Sequence, residues 1–104
     1  MSIFASAFVS TAHSQKYLTQ LCKHWAHNLD VEFDEKSGRV IFPKDARGAN
    51  WPGDATVRFM AREDGLDVMI EATSDSQLNG LKEAVARHLD RFAYREAPLA
   101  FDWS

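Results

Sequence analysis

The chain has 104 residues, 45% of them hydrophobic and 26% charged, with a formal net charge of −3 and one cysteine. That length fits one domain with its own core, and the apolar content argues against disorder as the main state. A lone Cys22 excludes an intrachain disulfide scaffold, and a negative balance argues against nucleic acid as a partner, because neutralising phosphates drives that affinity.

Met1 to Val9 carries no Lys or Arg, the first basic residue being Lys16, so the charged start of a secretory signal is missing. No apolar run approaches the length of a bilayer span, so no membrane partner is expected and the expected location is the cytoplasm. Phe4 to Val9 alternates and predicts a strand. Ser10 or Thr11 is the expected cap of a helix over about Ala12 to His27, whose Tyr17, Leu18, Leu21, Cys22 and Trp25 fall on one face. Val31-Glu32-Phe33 and Arg39 to Phe42 predict two short strands around the turn formers Asp34-Glu35-Lys36-Ser37-Gly38. Pro43 to Asp54, with Gly48, Asn50, Trp51, Pro52 and Gly53, predicts a surface loop.

Ala55, Val57, Phe59 and Ala61 alternate with polar neighbours, as do Leu66, Val68, Ile70 and Ala72. Asp64-Gly65 between these runs predicts a hairpin with a tight primed turn. Ser74 followed by Gln77 is a capping-box pattern for a second helix carrying Leu78, Leu81, Val85, Leu89 and Phe92. Gly80 inside it costs about 1 kcal/mol relative to Ala, which suggests close packing. Pro98 excludes helix beyond Ala97, and Leu99, Phe101 and Trp103 alternate as a last strand. The predicted order is β-α-β-β-β-β-α-β. Two one-sided helices and a mostly antiparallel sheet with one polar face predict an α+β two-layer sandwich, both helices on one face of the sheet.

Tyr17-Leu18-Thr19-Gln20-Leu21-Cys22-Lys23-His24-Trp25-Ala26-His27 and His88-Leu89-Asp90-Arg91-Phe92-Ala93-Tyr94-Arg95-Glu96 stand out as a matched pair. With Val31-Glu32-Phe33, Gly38-Arg39 and Phe101-Asp102-Trp103, they resemble the small bacterial family called domain of unknown function 2218. The likeness covers nearly the whole chain, and the 43–54 loop departs from it by greater length and richness in Trp, Pro and Gly. No activity comes with that family. Some of its members are joined to siderophore-interacting flavin reductases, so the resemblance implies an association with iron acquisition and no mechanism.

The residues themselves offer one main candidate site. On helical wheels His24 and His88 each lie at the edge of an apolar stripe, where two packed helices would bring them together. An imidazole pair there can bind an anion or a metal, or move a proton. The competing account is that each ring packs and hydrogen-bonds a carbonyl or carboxylate. Arg87, Arg91 and Arg95 recur every four residues beside His88, so the candidate ligand site is His24, His88, Arg91 and Arg95, suited to a small anion such as a phosphate or a siderophore carboxylate. A solvated helix face explains the same arginines. Cys22, His24 and His27 have metal-binding side chains but poor spacing, leaving His24 and His27 with His88, or else His13, as a candidate metal set. Cys22 is better explained as a small core residue. Arg95 or Glu96 is expected to pair across to the first helix. Trp51 either presents its ring to a partner or folds back as a lid. No nucleophile elbow, phosphate-binding glycine loop or HExxH motif occurs.

Three readings of function follow: a binding or accessory module acting with an iron–siderophore system, an enzyme using His24 and His88 as acid and base, or a homodimer assembled through the sheet face that carries Met60 and Met69. No particular cofactor is implied.

Overall fold

A computed structural model describes residues 2–45, 48–97 and 99–104. The alternating runs become strands β1 (Ile3–Ser10), β2 (Asp30–Phe33), β3 (Ser37–Phe42), β4 (Ala55–Arg62) and β5 (Gly65–Ala72); the stripes become helices α1 (Ser14–Trp25) and α2 (Asp75–Phe92). The strands form one antiparallel sheet in the order β1-β5-β4-β3-β2. Its register aligns the small and β-branched residues on one face: Ala5 opposite Ile70, Val57 opposite Ile70, and Val40 opposite Val57. That face is buried under both helices, α1 lying over β2, β3, β4 and β5 and α2 over β5 and β1. The α+β architecture is the one the patterning predicts.

Several local expectations change. The first helix starts at Ser14, with His13 at the cap position and no side-chain cap. Thr11 is diverted: its hydroxyl accepts from the His13 N–H at 3.1 Å and donates to Glu96. Ser74 does cap α2, accepting from the Gln77 N–H at 3.2 Å. The Gln77 side chain, however, bonds Thr73 and, at 3.0 Å, the Gly53 carbonyl, so it anchors the long loop as well as the helix.

Glu63 and Asp64, not Asp64-Gly65, form the two-residue hairpin turn, since Gly65 already pairs with Arg62 in the ladder. Gly65 is required by close approach: a Cβ there would fall on the Phe8 ring and 2.5 Å from the Val9 carbonyl. Gly80 is the reverse case. A Cβ at that position meets nothing within 4 Å, so close packing does not explain it.

The last predicted strand does not form. Residues 99–104 run irregularly, and only Ser104 exchanges backbone hydrogen bonds with Ser6, at 3.1 and 2.9 Å. That single pairing, with Phe101 and Trp103 half-buried against the core, covers part of the β1 edge. Asp90 holds the segment by accepting from the Leu99 N–H at 2.9 Å. Pro98, the expected breaker, lies outside the described residues, as do Ala46 and Arg47 of the loop. No described helix is long and apolar enough to cross a membrane.

Candidate functional site

Helix α1 buries Leu18, Leu21, Cys22 and Trp25, which turns His24 toward the flank shared with α2. Helix α2 buries Leu81, Val85 and Leu89, which brings His88 to the same seam. The two imidazole centroids are 5.2 Å apart with the rings tilted by 47°. His24 also meets Phe92 edge-on at 5.8 Å, and His88 meets Trp25 at 5.1 Å. His88 Nδ1 lies 2.7 Å from the Ala84 carbonyl oxygen. A carbonyl only accepts, so Nδ1 carries the proton, and in the neutral ring Nε2 is the acceptor.

Both histidines line a cavity of about 540 Å³ at the junction of the helices with the end of β3. Such a volume is in the range of small-molecule sites. Its apolar wall is Trp25, Leu29, Phe42, Leu81 and Ala84. Trp25 is braced by Phe42 at 5.1 Å, edge-on, and by Phe59 at 6.2 Å, stacked. Polar groups come from His24, His88, Asn28 and Arg87, and Gly80 leaves a gap in the α2 wall. Among the described residues the ion pairs are Arg39–Glu32 at 2.6 Å, Arg58–Glu71 at 3.7 Å and Arg62–Asp67, so Arg87 belongs to none of them.

The remaining sequence candidates are scattered. Arg91 is exposed on the last turn of α2 and does not line this cavity. Arg95 lies beyond the helix end, which breaks the expected strip; its guanidinium sits 5.8 Å from the Tyr94 ring centre, beside a separate hollow lined by His13, Lys16 and Glu96. His27 is exposed in the turn after α1, outside the cavity. The metal set His24, His27 and His88 is therefore not assembled, and no three His, Cys, Asp or Glu side chains gather around one point among the described residues. Cys22 is fully buried, and burial pushes its thiol up to about 11, far from a nucleophile or ligand at neutral pH. Trp51 is half-buried, its backbone N–H donating to the Lys44 carbonyl at 2.9 Å.

Glu96 does reach across to the first helix. Its carboxylate accepts from Tyr17 Oη in a short hydrogen bond and from Thr11 Oγ1 at 2.9 and 3.0 Å. The Tyr17 bond, then that of Thr11, holds the Glu96 carboxyl below the usual carboxylate range, and the same bond to Glu96, followed by burial, raises Tyr17. Tyr17 is in the core, and its hydroxyl meets the exposed Glu96. This cluster ties the chain after α2 to the start of α1.

Arg87 was legible only as part of a run. Gly80, Ala84, Arg87 and His88 fall at i, i+4, i+7 and i+8, which is the signal that they share one side of α2. His24 and Asn28 are likewise four apart. Leu29 and Phe42 join the site through the β2–β3 pairing, which sets Asp30 opposite Ile41.

Five antiparallel strands under two helices, with a small-molecule-sized cavity at the helix seam, define a two-layer α+β protein with a concave site. The chain belongs to the DUF2218 family, uncharacterised proteins conserved in bacteria, whose family model matches residues 6–104. It is similar to the NMR structure of PA4090 from Pseudomonas aeruginosa, at 25% identity and a TM-score of 0.74, over 97% of this chain and 94% of that one. No curated protein matches the chain.

Proposed function

We propose that this protein is a small-molecule binding module whose ligand sits in the cavity between α1 and α2. The observation that carries the reading is the pair of imidazoles, 5.2 Å apart, on a cavity of about 540 Å³ with an aromatic wall. A mostly apolar hollow with a few convergent polar groups is the usual form of a ligand site. The test is a library of charged and neutral aromatic and aliphatic fragments, screened by amide chemical shifts on the labelled chain. Shifts centred on Asn28, Leu29, Gly80 and Ala84, and lost in His24→Ala or His88→Ala, support the reading. Shifts confined to the open sheet face would contradict it. The iron–siderophore association enters the same screen as a ligand class, represented by ferric hydroxamate and catecholate complexes.

A second reading rests on the open sheet face, where Phe4, Phe8, Met60 and Met69 are 59%, 42%, 46% and 38% exposed. Large exposed apolar side chains on one face suit self-association. Sedimentation of the chain over a range of concentrations separates a dimer formed this way from a monomer that binds ligand.

A further inference from the structure

Gly80 stands inside α2, where glycine is less stable than alanine. The position is exposed, and a Cβ there would meet no atom within 4 Å beyond its own stretch of helix backbone. It lines the cavity, so the missing side chain leaves space in the wall. Two turns further along α2 on the same side, Arg87 brings a guanidinium that belongs to none of the ion pairs among the described residues. The same cavity is lined by the rings of Trp25 and Phe42, which meet edge-on at 5.1 Å.

We propose that the cavity takes an aromatic monoanion, its ring lying in the gap at Gly80 against Trp25 and its carboxylate or equivalent oxyanion held by Arg87. The assignment rests on the cavity being the ligand site and adds the chemistry of what fills it. A guanidinium offers planar, paired N–H donors that match a carboxylate, and the exposed Arg87 is free to turn toward one. An apolar ring gains from covering aromatic and aliphatic surface that water otherwise wets. Neither feature alone selects the class: a guanidinium without the wall suits inorganic phosphate, and the wall without a cation suits a neutral hydrocarbon.

The test uses 2-naphthoate and its uncharged amide, 2-naphthamide, as probes of the full chain, read by amide shifts. In the wild type, 2-naphthoate is expected to bind at least about tenfold more tightly than the amide. Arg87→Gln should bring the two probes to the same affinity. Gly80→Leu should weaken both while leaving the rest of the spectrum in place. Gly80→Ala is the control for folding and should raise the melting temperature. Equal binding of the two probes, with shifts still centred on Gly80 and Ala84, overturns the anion assignment and leaves the cavity reading standing. Full binding by Gly80→Leu overturns the placement of the ring. If neither probe moves a cavity resonance, and the neutral and charged fragments of the wider library fail likewise, both the assignment and the cavity reading fall.

Discussion

Gly38 of β3 and Cys22 of α1 meet so closely that a Cβ on Gly38 would stand 2.6 Å from the Cys22 sulphur. Cys22 is fully buried, so the sulphur has little room to yield. Gly38→Ala is expected to lose about 1–3 kcal/mol by overpacking. Cys22→Ala in the same chain should recover part of that loss, because it removes the atom in the way. Urea melts of the two single variants and the double variant give the coupling directly. Strictly additive losses would mean that the strain lies elsewhere.

The same burial governs the reactivity of Cys22. With its thiol pushed up to about 11, almost no thiolate exists at pH 8. Iodoacetamide should therefore label the native chain only as fast as it opens, and labelling should accelerate sharply through the urea transition. Fast modification of the folded protein at pH 8 would show an accessible sulphur.

Glu96 makes stability depend on pH. Its folded carboxyl is held below the usual range by Tyr17 and Thr11. A depressed carboxylate contributes stability that is present above its unfolded pKa, about 4.3, and is lost as pH falls through the lower folded value. Acid unfolding of the wild type should therefore be steeper below about pH 4 than that of Glu96→Gln or Tyr17→Phe. Thermal melts between roughly pH 2.5 and 7 make the comparison, and parallel profiles in the wild type and both variants would remove Glu96 from the account.

Trp25 and Phe92, both expected in the core, differ in depth. Trp25 is 7% exposed and braced by Phe42 and Phe59, whereas Phe92 is half-buried and meets His24 edge-on. Trp25→Ala is expected to cost about 3–5 kcal/mol and Phe92→Ala clearly less. The reverse order in urea melts would show that the helices pack on other faces.

How much of this was legible in the sequence follows from the range of the interactions. The strand alternation and the two helical stripes are local and period-bound, so the five strands of the sheet and both helices were readable. Wheel positions alone also indicated that His24 and His88 share a seam. What the sequence lacked was non-local. Gly65 answers to Phe8 and Val9 on a neighbouring strand, and Gly38 to a sulphur on the helix above. Thr11 was spent on Glu96, 85 positions away, so it did not cap α1. Leu99 to Trp103 alternates like a strand but makes only one backbone pairing with β1, through Ser104. The arginine run pointed to Arg91 and Arg95, whereas the helix end at Ala93 takes Arg95 off the strip and Arg91, on the last turn, does not line the cavity, which leaves Arg87.

The most direct measurement of the central claim is of the histidine rings themselves. Carbon-detected imidazole resonances of all four histidines are followed as the binding fragments are added at fixed pH. The cavity reading predicts that His24 and His88 move together, saturating at one affinity, while His13 and His27, which lie outside the cavity, stay in place. Unmoved His24 and His88 resonances at saturating fragment, or shifts confined to His13 and His27, would contradict it.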